Sequence, residues 1–311
     1  MRLKRRMSFF QGIKMLDTIL IGLSLGSILL LVALGLSIIY GSMGVINMAH
    51  GELVMIGAYS TVLAQIHMGL SLFAAIPLAF VVCFALGLLI EKFVVRRLYG
   101  RLFDTLLATW GVAILLQQAI RLEFGLSFFG IHIAGLGPGL QSVKVPDLLS
   151  EPIFIGEFLI QPYRAFIIII SILLAVITWL LMYKTRMGQQ IRAIMRNKDM
   201  AAACGINVRK VNALTFAYGA GLAGVAGVMM SGFKTVMPDM GSSLVVDGFL
   251  VVVVGGVGSL VGTIVASGLL GQVNGIFAAL SNDIIARAIV FGVVIAIIIW
   301  RPQGLLNYKG R

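Results

Sequence analysis

Charge is what this 311-residue sequence has least of: 12% Asp, Glu, Lys and Arg against 59% in the AVILMFWYC set, where soluble domains carry about 25% and about 45–50%. That shortfall excludes a soluble enzyme. Acidic residues are the scarcer kind, 12 against 24 Lys and Arg for a formal charge of +12. In so apolar a chain the excess belongs to a membrane surface and anionic lipid, not to nucleic acid. Two cysteines, Cys83 in an apolar run and Cys204 in a basic one, give neither a disulfide framework nor metal-ligand spacing. No metal and no cofactor is expected. The chain has no Gly-Lys dipeptide, hence no phosphate-binding loop, and no HExxH or CxxC, so it carries no ATPase of its own. Regularly spaced arginines of a voltage sensor and the acidic–basic ladder of a proton relay are also missing.

What is present is a series of stretches free of Asp, Glu, Lys and Arg: residues 18–51, 53–90, 105–120, 165–183, 211–233, 248–282 and 288–300. About 20 apolar residues cross the hydrocarbon once. The second and sixth are long enough for two elements each, dividing at 67–71 and near 255–262. The expectation is an all-α polytopic membrane protein of eight to ten transmembrane or re-entrant helices, one membrane unit over 1–311. The basic opening MRLKRRMSFF is read as retained, not as a cleaved signal, because no small-residue cleavage site precedes a soluble domain.

Lys and Arg collect in 92–101, 184–210 and 301–311, whereas 122–164 holds Lys144 and Arg164 against Glu123, Asp147, Glu151 and Glu157. Positive charge stays on the cytoplasmic side, so 184–210 is the inside loop and 122–164 the outside one. Broken by Gly135, Gly137, Pro138, Gly139, Pro146 and Pro152, the outside loop has room for one short interfacial helix at 153–159. The N-terminal third conflicts: five basic residues in 1–17 favour an inside start, yet three crossings before Lys92 would put the next loop outside. Either an element around 41–50 is broken or re-entrant and fails to cross, the reading preferred, or the N-terminus is outside.

GSMGVINMAHGE, residues 41–52, interrupts an apolar helix and sets Asn47, His50 and Glu52 at membrane depth. Polar groups there line a cavity or pair with neighbours; hydrogen bonding between helices serves the second reading equally well. DGFLVVVVGGVGSLVG, from Asp247, breaks the C-terminal half in the same manner, and paired interruptions point to a translocation path. Small residues at four-residue spacing (Gly22/Gly26, Gly219/Ala223/Gly227, Gly258/Gly262, Gly271/Gly275) are read as close helix packing. Thr109 and Gln117, eight positions apart, share one helix face and are candidates for the path, though Gln117 and Gln118 also suit an interface. In the basic loop, Asp199 is expected to cap a short helix around Ala202 that stops at Gly205 in the left-handed conformation. A short exposed helix can dock a partner.

The runs GLSLGSILLLVALGLSIIYGSMGVINMAHGELVMIGAY, MAAACGINVRKVNALTFAYGAGLAGVAGV and VVVVGGVGSLVGT resemble the permeases of branched-chain amino acid ABC importers. Within that family, LYGRLFDTLLATWGVAILLQQAIRLEFG, VMPDMGSSLVVDGFLVVVVGGVG and RPQGLLNYKGR look most like the permease of urea ABC importers, although the outer loop LSFFGIHIAGLGPGLQSVKVP is more apolar than that pattern. The resemblance implies a multi-pass subunit of the bacterial inner membrane moving urea or a short amide, with branched-chain or other amino acids as the alternative. It implies a homologous second permease, two cytoplasmic ATPases and a periplasmic solute-binding protein. The helix with Asp199, Ala202 and Gly205, flanked by Arg196 and Ile206, would be the ATPase-coupling helix. Outside the family, a passive small-solute channel or a purely structural membrane partner would also use glycine breaks; flux without nucleotide marks the former, and absence of any uptake defect the latter.

Overall fold

The computed structural model describes the backbone of residues 2–155 and 158–306, and side-chain surroundings from Asp17 on except at 154–160 and 283. The described chain is nearly all helical: α1 (Arg2–Met43), α2 (His50–Met68), α3 (Leu72–Phe93), α4 (Leu102–Arg121), α5 (Asp147–Ser150), α6 (Pro162–Lys184), α7 (Arg186–Arg196), α8 (Lys198–Ala203), α9 (Val208–Ser231), α10 (Met240–Gly255), α11 (Leu260–Leu280) and α12 (Asp283–Trp300). Helices are what lipid demands, because each spanning backbone must satisfy its own hydrogen bonds. Six are long and apolar enough to cross: Asp17–Met43 of α1, then α3, α4, α6, α9 and α11. The shorter apolar helices α10 and α12 and the more polar α2, which starts inside the bundle beside Val32, pack among them.

Elements stop where local chemistry stops them. Asn197, Asn207, Ser259 and Asn282 cap α8, α9, α11 and α12, each side-chain oxygen accepting a backbone N–H of the first turn. The divisions at 67–71 and 255–262 fall where expected. At 153–159, however, strands β1 (Ile153–Ile155) and β2 (Phe158–Ile160) pair antiparallel, Ile153 opposite Ile160, so the interfacial helix is not formed; β-branched and aromatic residues suit the ladder better.

Helix α9 is the hub, packed by α1, α2 and α3 and buried along nearly its whole length, whereas α4 and α6 are buried least. The sequence explains the contrast: α9 carries small residues all round, so neighbours approach its backbone from every side. The small-residue pairs do pack. A methyl on Gly26 of α1 would stand 2.8 Å from the Ser267 carbonyl and 3.5 Å from Gly271 Cα of α11, and one on Gly219 would stand 2.9 Å from the Gly35 carbonyl.

One end of the bundle gathers the basic clusters: the termini of α3 and α6, all of α7 and α8, and the start of α4. Gly41 at the end of α1 lies there too, beside Gly258 and Met195. The span of α1 therefore begins at the opposite end, where the Ile19 carbonyl accepts from Gln272 Nε2 at 3.0 Å and Gln65 of α2 pairs with the Lys144 backbone. The preferred reading of 41–50 agrees with the structure: the chain breaks at 44–49 and α2 starts inside the bundle, where His50 meets the Val32 carbonyl. The α1 span itself starts at the end opposite the basic loops.

Candidate functional site

Gly44, at φ +65°, turns the chain out of α1 in a left-handed conformation that other residues rarely adopt. The connection then dips back into the bundle. Asn47 is fully buried; its Oδ1 accepts the Ala49 N–H at 3.1 Å, and its Nδ2 has no protein partner. The Met48 N–H reaches Thr109 Oγ1 at 3.1 Å, about 10 Å along α4 from its basic end. His50, also fully buried, donates from Nε2 to the Val32 carbonyl at 3.1 Å, which leaves Nδ1 a bare acceptor. Val32 lies about 16 Å up α1 from Met43, so α2 starts deep in the bundle. Glu52 Oε1 accepts from Ser242 Oγ of α10 at 3.0 Å, while Oε2 and the hydroxyl of Tyr59 have no protein partner.

Buried polar atoms without partners are rare and call for water, an ion or a solute. Asn47, His50 and Glu52 lie where the break meets α1 and α10, Tyr59 lies two turns further along α2 among residues of α3 and α4, and three cavities lie along α1 and α10. The outermost, about 370 Å³, reaches Ile21 to Leu29 on α1 and Ser243 to Asp247 on α10. A constriction of about 10 Å³ follows, between Leu36, Tyr40, Asn47, Val245 and Phe249; it holds at most one water. The innermost, about 710 Å³, opens at the basic end beside Tyr40, Gly41, Met195 and Gly258. The three are separate cavities, with the narrowest between the other two.

Of the expected residues, Asn47 lines the constriction and Asp247 the outer cavity. Thr109 braces the break, and His50 and Glu52 tie α2 to α1 and α10 from behind the wall. Gln117 is half-buried and lines none of the three; eight residues along α4 carry it about 12 Å away from Thr109. Sequence reasoning missed Tyr40, Phe249 and Arg287. Arg287 stood out only as a span boundary, and its Nη2 meets Asp247 Oδ2 at 2.9 Å.

At the basic end, α8 is exposed except for Ala201, and Ile206, three residues beyond it, is half-buried. Its start differs from expectation: Asn197 is the cap, accepting the Met200 N–H at 2.9 Å, because the helix begins one residue before Asp199, which lies in the first turn and complements the helix dipole. Its stop agrees. Gly205 has φ +81°, and the Gly205 and Ile206 N–H groups bond the Ala202 and Ala201 carbonyls as a left-handed C-terminal cap does. Ala201 and Ile206 pack with Ile191, Ile194, Val211 and Leu34, fastening α8 to α7, α9 and α1. Lys198 lies 5.4 Å from the Tyr99 ring centre. The Tyr99 hydroxyl donates to Glu91 at 2.5 Å, and Arg96 pairs with the same carboxylate at 2.8 Å. Burial, then Glu91, pushes the Tyr99 hydroxyl above its ordinary range.

The string Gly22–Leu23–Ser24–Leu25–Gly26 spells GxSxG, but it lies inside α1. Ser24 Oγ donates to the Ile21 carbonyl and accepts from Arg164, without the strand-to-helix turn a nucleophile needs. Among the described residues no group of three His, Cys, Asp or Glu could hold a metal ion.

The chain is 31% identical to the high-affinity branched-chain amino acid transport system permease protein BraD of Pseudomonas aeruginosa, over 92% of this chain and 94% of that one. It is 30% identical to LivH of Escherichia coli K12, over 92% and 93%. To LivM of the same organism it is 24% identical, over 91% of this chain and 68% of LivM. No solved structure matches. Residues 18–299 match the family described as branched-chain amino acid transport system, permease component, and on that extent, with these relatives beside it, the chain belongs to this family of membrane permeases.

Proposed function

We propose that this chain is one permease subunit of an ATP-driven importer of branched-chain or closely related amino acids in a bacterial inner membrane. A second, homologous permease would complete the pathway, a periplasmic binding protein would deliver solute at the 122–164 end, and two ATPases would drive transport from the 184–210 end. The observation that carries the reading is the row of cavities along α1 and α10, one toward each end and a narrow one between them lined by Tyr40, Asn47 and Phe249. Such a row suits alternating access, in which nucleotide shifts the balance between two closed-gate states.

The drive has a path. Helix α8 is rigidly joined to α7, and the Met195 methyl of α7 sits against both breaks: a methyl on Gly41 would come 2.5 Å from it, and one on Gly258 2.8 Å. Moving α8 therefore displaces the point where α1 and α10 end. The BraD and LivH relatives, at 31% and 30% identity, are named for branched-chain amino acids, and aliphatic side chains line the outer cavity. Those two facts favour the amino acid reading over urea, which has no hydrocarbon to bury.

Vesicles carrying the whole complex test this. ATP-dependent uptake of labelled leucine, with little of labelled urea, is the expected result. Urea uptake without leucine uptake overturns the substrate, and flux through the chain without nucleotide makes it a channel.

A further inference from the structure

We propose that the outer cavity between α1, α10 and α12 is a transient binding site for a free amino acid with an aliphatic side chain, the ammonium group held by Asp247 and the carboxylate by Arg287 and Lys234. This deepens the transport reading above and rests on it. The cavity, about 370 Å³, lies within the range of small-molecule sites. Its polar groups are few and mutually close: Asp247 and Arg287 paired at 2.9 Å, with Lys234 and Asn274 on the same wall. The rest is hydrocarbon, from Ile21, Leu25 and Leu29 of α1, Leu244 of α10 and Ile284 of α12.

A simple clip between α10 and α12 is a poor account of that pair. Charges in hydrocarbon are costly, and a buried ion pair gives little net stability over apolar packing of the same volume. Here neither partner is sealed: the Asp247 and Arg287 side chains keep 26% and 43% of their exposure, with two cations facing one carboxylate. A cavity that sets a carboxylate and two cations beside aliphatic walls matches the three parts of one solute. A zwitterion would insert between Asp247 and Arg287, replacing their bond with two charge-assisted ones. Asn274 can serve either charged group. The cavity stands directly outside the Tyr40, Asn47 and Phe249 constriction on the same two helices, so its occupant is next in line when the constriction opens. Urea would meet the charges and leave the walls unpartnered.

The test is equilibrium binding of labelled leucine to the complete transporter in nanodiscs without the solute-binding protein, alongside uptake by the complete system. Saturable binding is expected, with leucinamide and 4-methylpentanoate, each lacking one charge, competing at least about tenfold less well. Asp247→Asn and Arg287→Gln should each weaken binding by about tenfold. The exchange Asp247→Arg with Arg287→Asp keeps an ion pair but reverses its polarity; assembly should persist and leucine binding should not return. Recovery of binding by the exchange, or equal competition by the two singly charged analogues, overturns the site in favour of a structural clip. Should the charge variants fail to assemble, Leu25→Trp fills the apolar wall alone, and unchanged leucine binding in it is equally fatal. A wild-type complex that imports leucine but does not bind it removes the site and spares the transport reading; one that imports no leucine removes the reading itself.

Discussion

Glu123 and Glu52 are both carboxylates shut away from water, and their surroundings differ in one respect that decides what each can do. Glu123 is satisfied on both oxygens, by His132 Nδ1 at 3.0 Å and the Ile133 N–H at 2.5 Å, and those hydrogen bonds hold its carboxyl below the usual carboxylate range. Glu123 and Phe124 themselves lie at positive φ, +52° and +56°, a region that non-glycine residues rarely adopt. Because the folded-state value is the lower one, the contribution is complete above the ordinary carboxylate range and is lost as pH falls through the lowered value. Hydrogen exchange at Ile133, corrected for intrinsic rate, should lose protection over that acid window. Glu123→Gln should weaken protection at neutral pH and remove the acid step. Glu52, by contrast, leaves Oε2 unpartnered at 3% exposure. Neutralising it with Glu52→Gln should raise the stability of the assembled complex by about 1–3 kcal/mol while lowering uptake, measured by thermal unfolding beside vesicle transport; a loss of stability would mean an unseen partner for that oxygen.

Among the helices, the two breaks behave as one device. Gly41 and Gly258 come from opposite halves of the chain and touch, with Met195 of α7 closing the third side. A flexible, unbranched side chain at that point fills an irregular gap and can follow its neighbours as they move. Met195→Ala should leave copurification with the ATPases and basal hydrolysis intact but reduce ATP-driven uptake by about tenfold, since the push from α8 would meet a void. Uptake at the wild-type level would show that force passes elsewhere, for instance through Ile191 and Ile194. The tight pairing of Gly26 with Gly271 has another role: it locks α1 to α11 along their outer halves, so movement at the basic end hinges about a fixed outer contact.

Across the molecule, the proposed orientation makes a labelling pattern that uses the native cysteines. Cys204 is exposed just beyond α8 and Cys83 is buried against α9. A membrane-impermeant maleimide should label Cys204 only in inside-out vesicles and Cys83 in neither orientation. In a Cys204→Ser background, Leu140→Cys in the exposed outer loop should label only in right-side-out vesicles. The reverse pattern would invert the bundle and separate α8 from any cytoplasmic ATPase.

Hydropathy and glycine placement were enough to locate the spans, the divisions at 67–71 and 255–262, the break before His50 and the Gly205 stop, because insertion cost and backbone freedom are properties of a residue and its immediate neighbours. Even there one residue mattered, since Asn197 out-competed Asp199 for the cap by preceding it. Which end α1 starts from, why Gln117 stands apart from Thr109, and how Asp247 finds Arg287 forty positions on were settled by packing. Those depend on which helix faces meet around α9, and contact between distant segments is fixed by the shape of the whole bundle, not by any stretch of the chain taken alone.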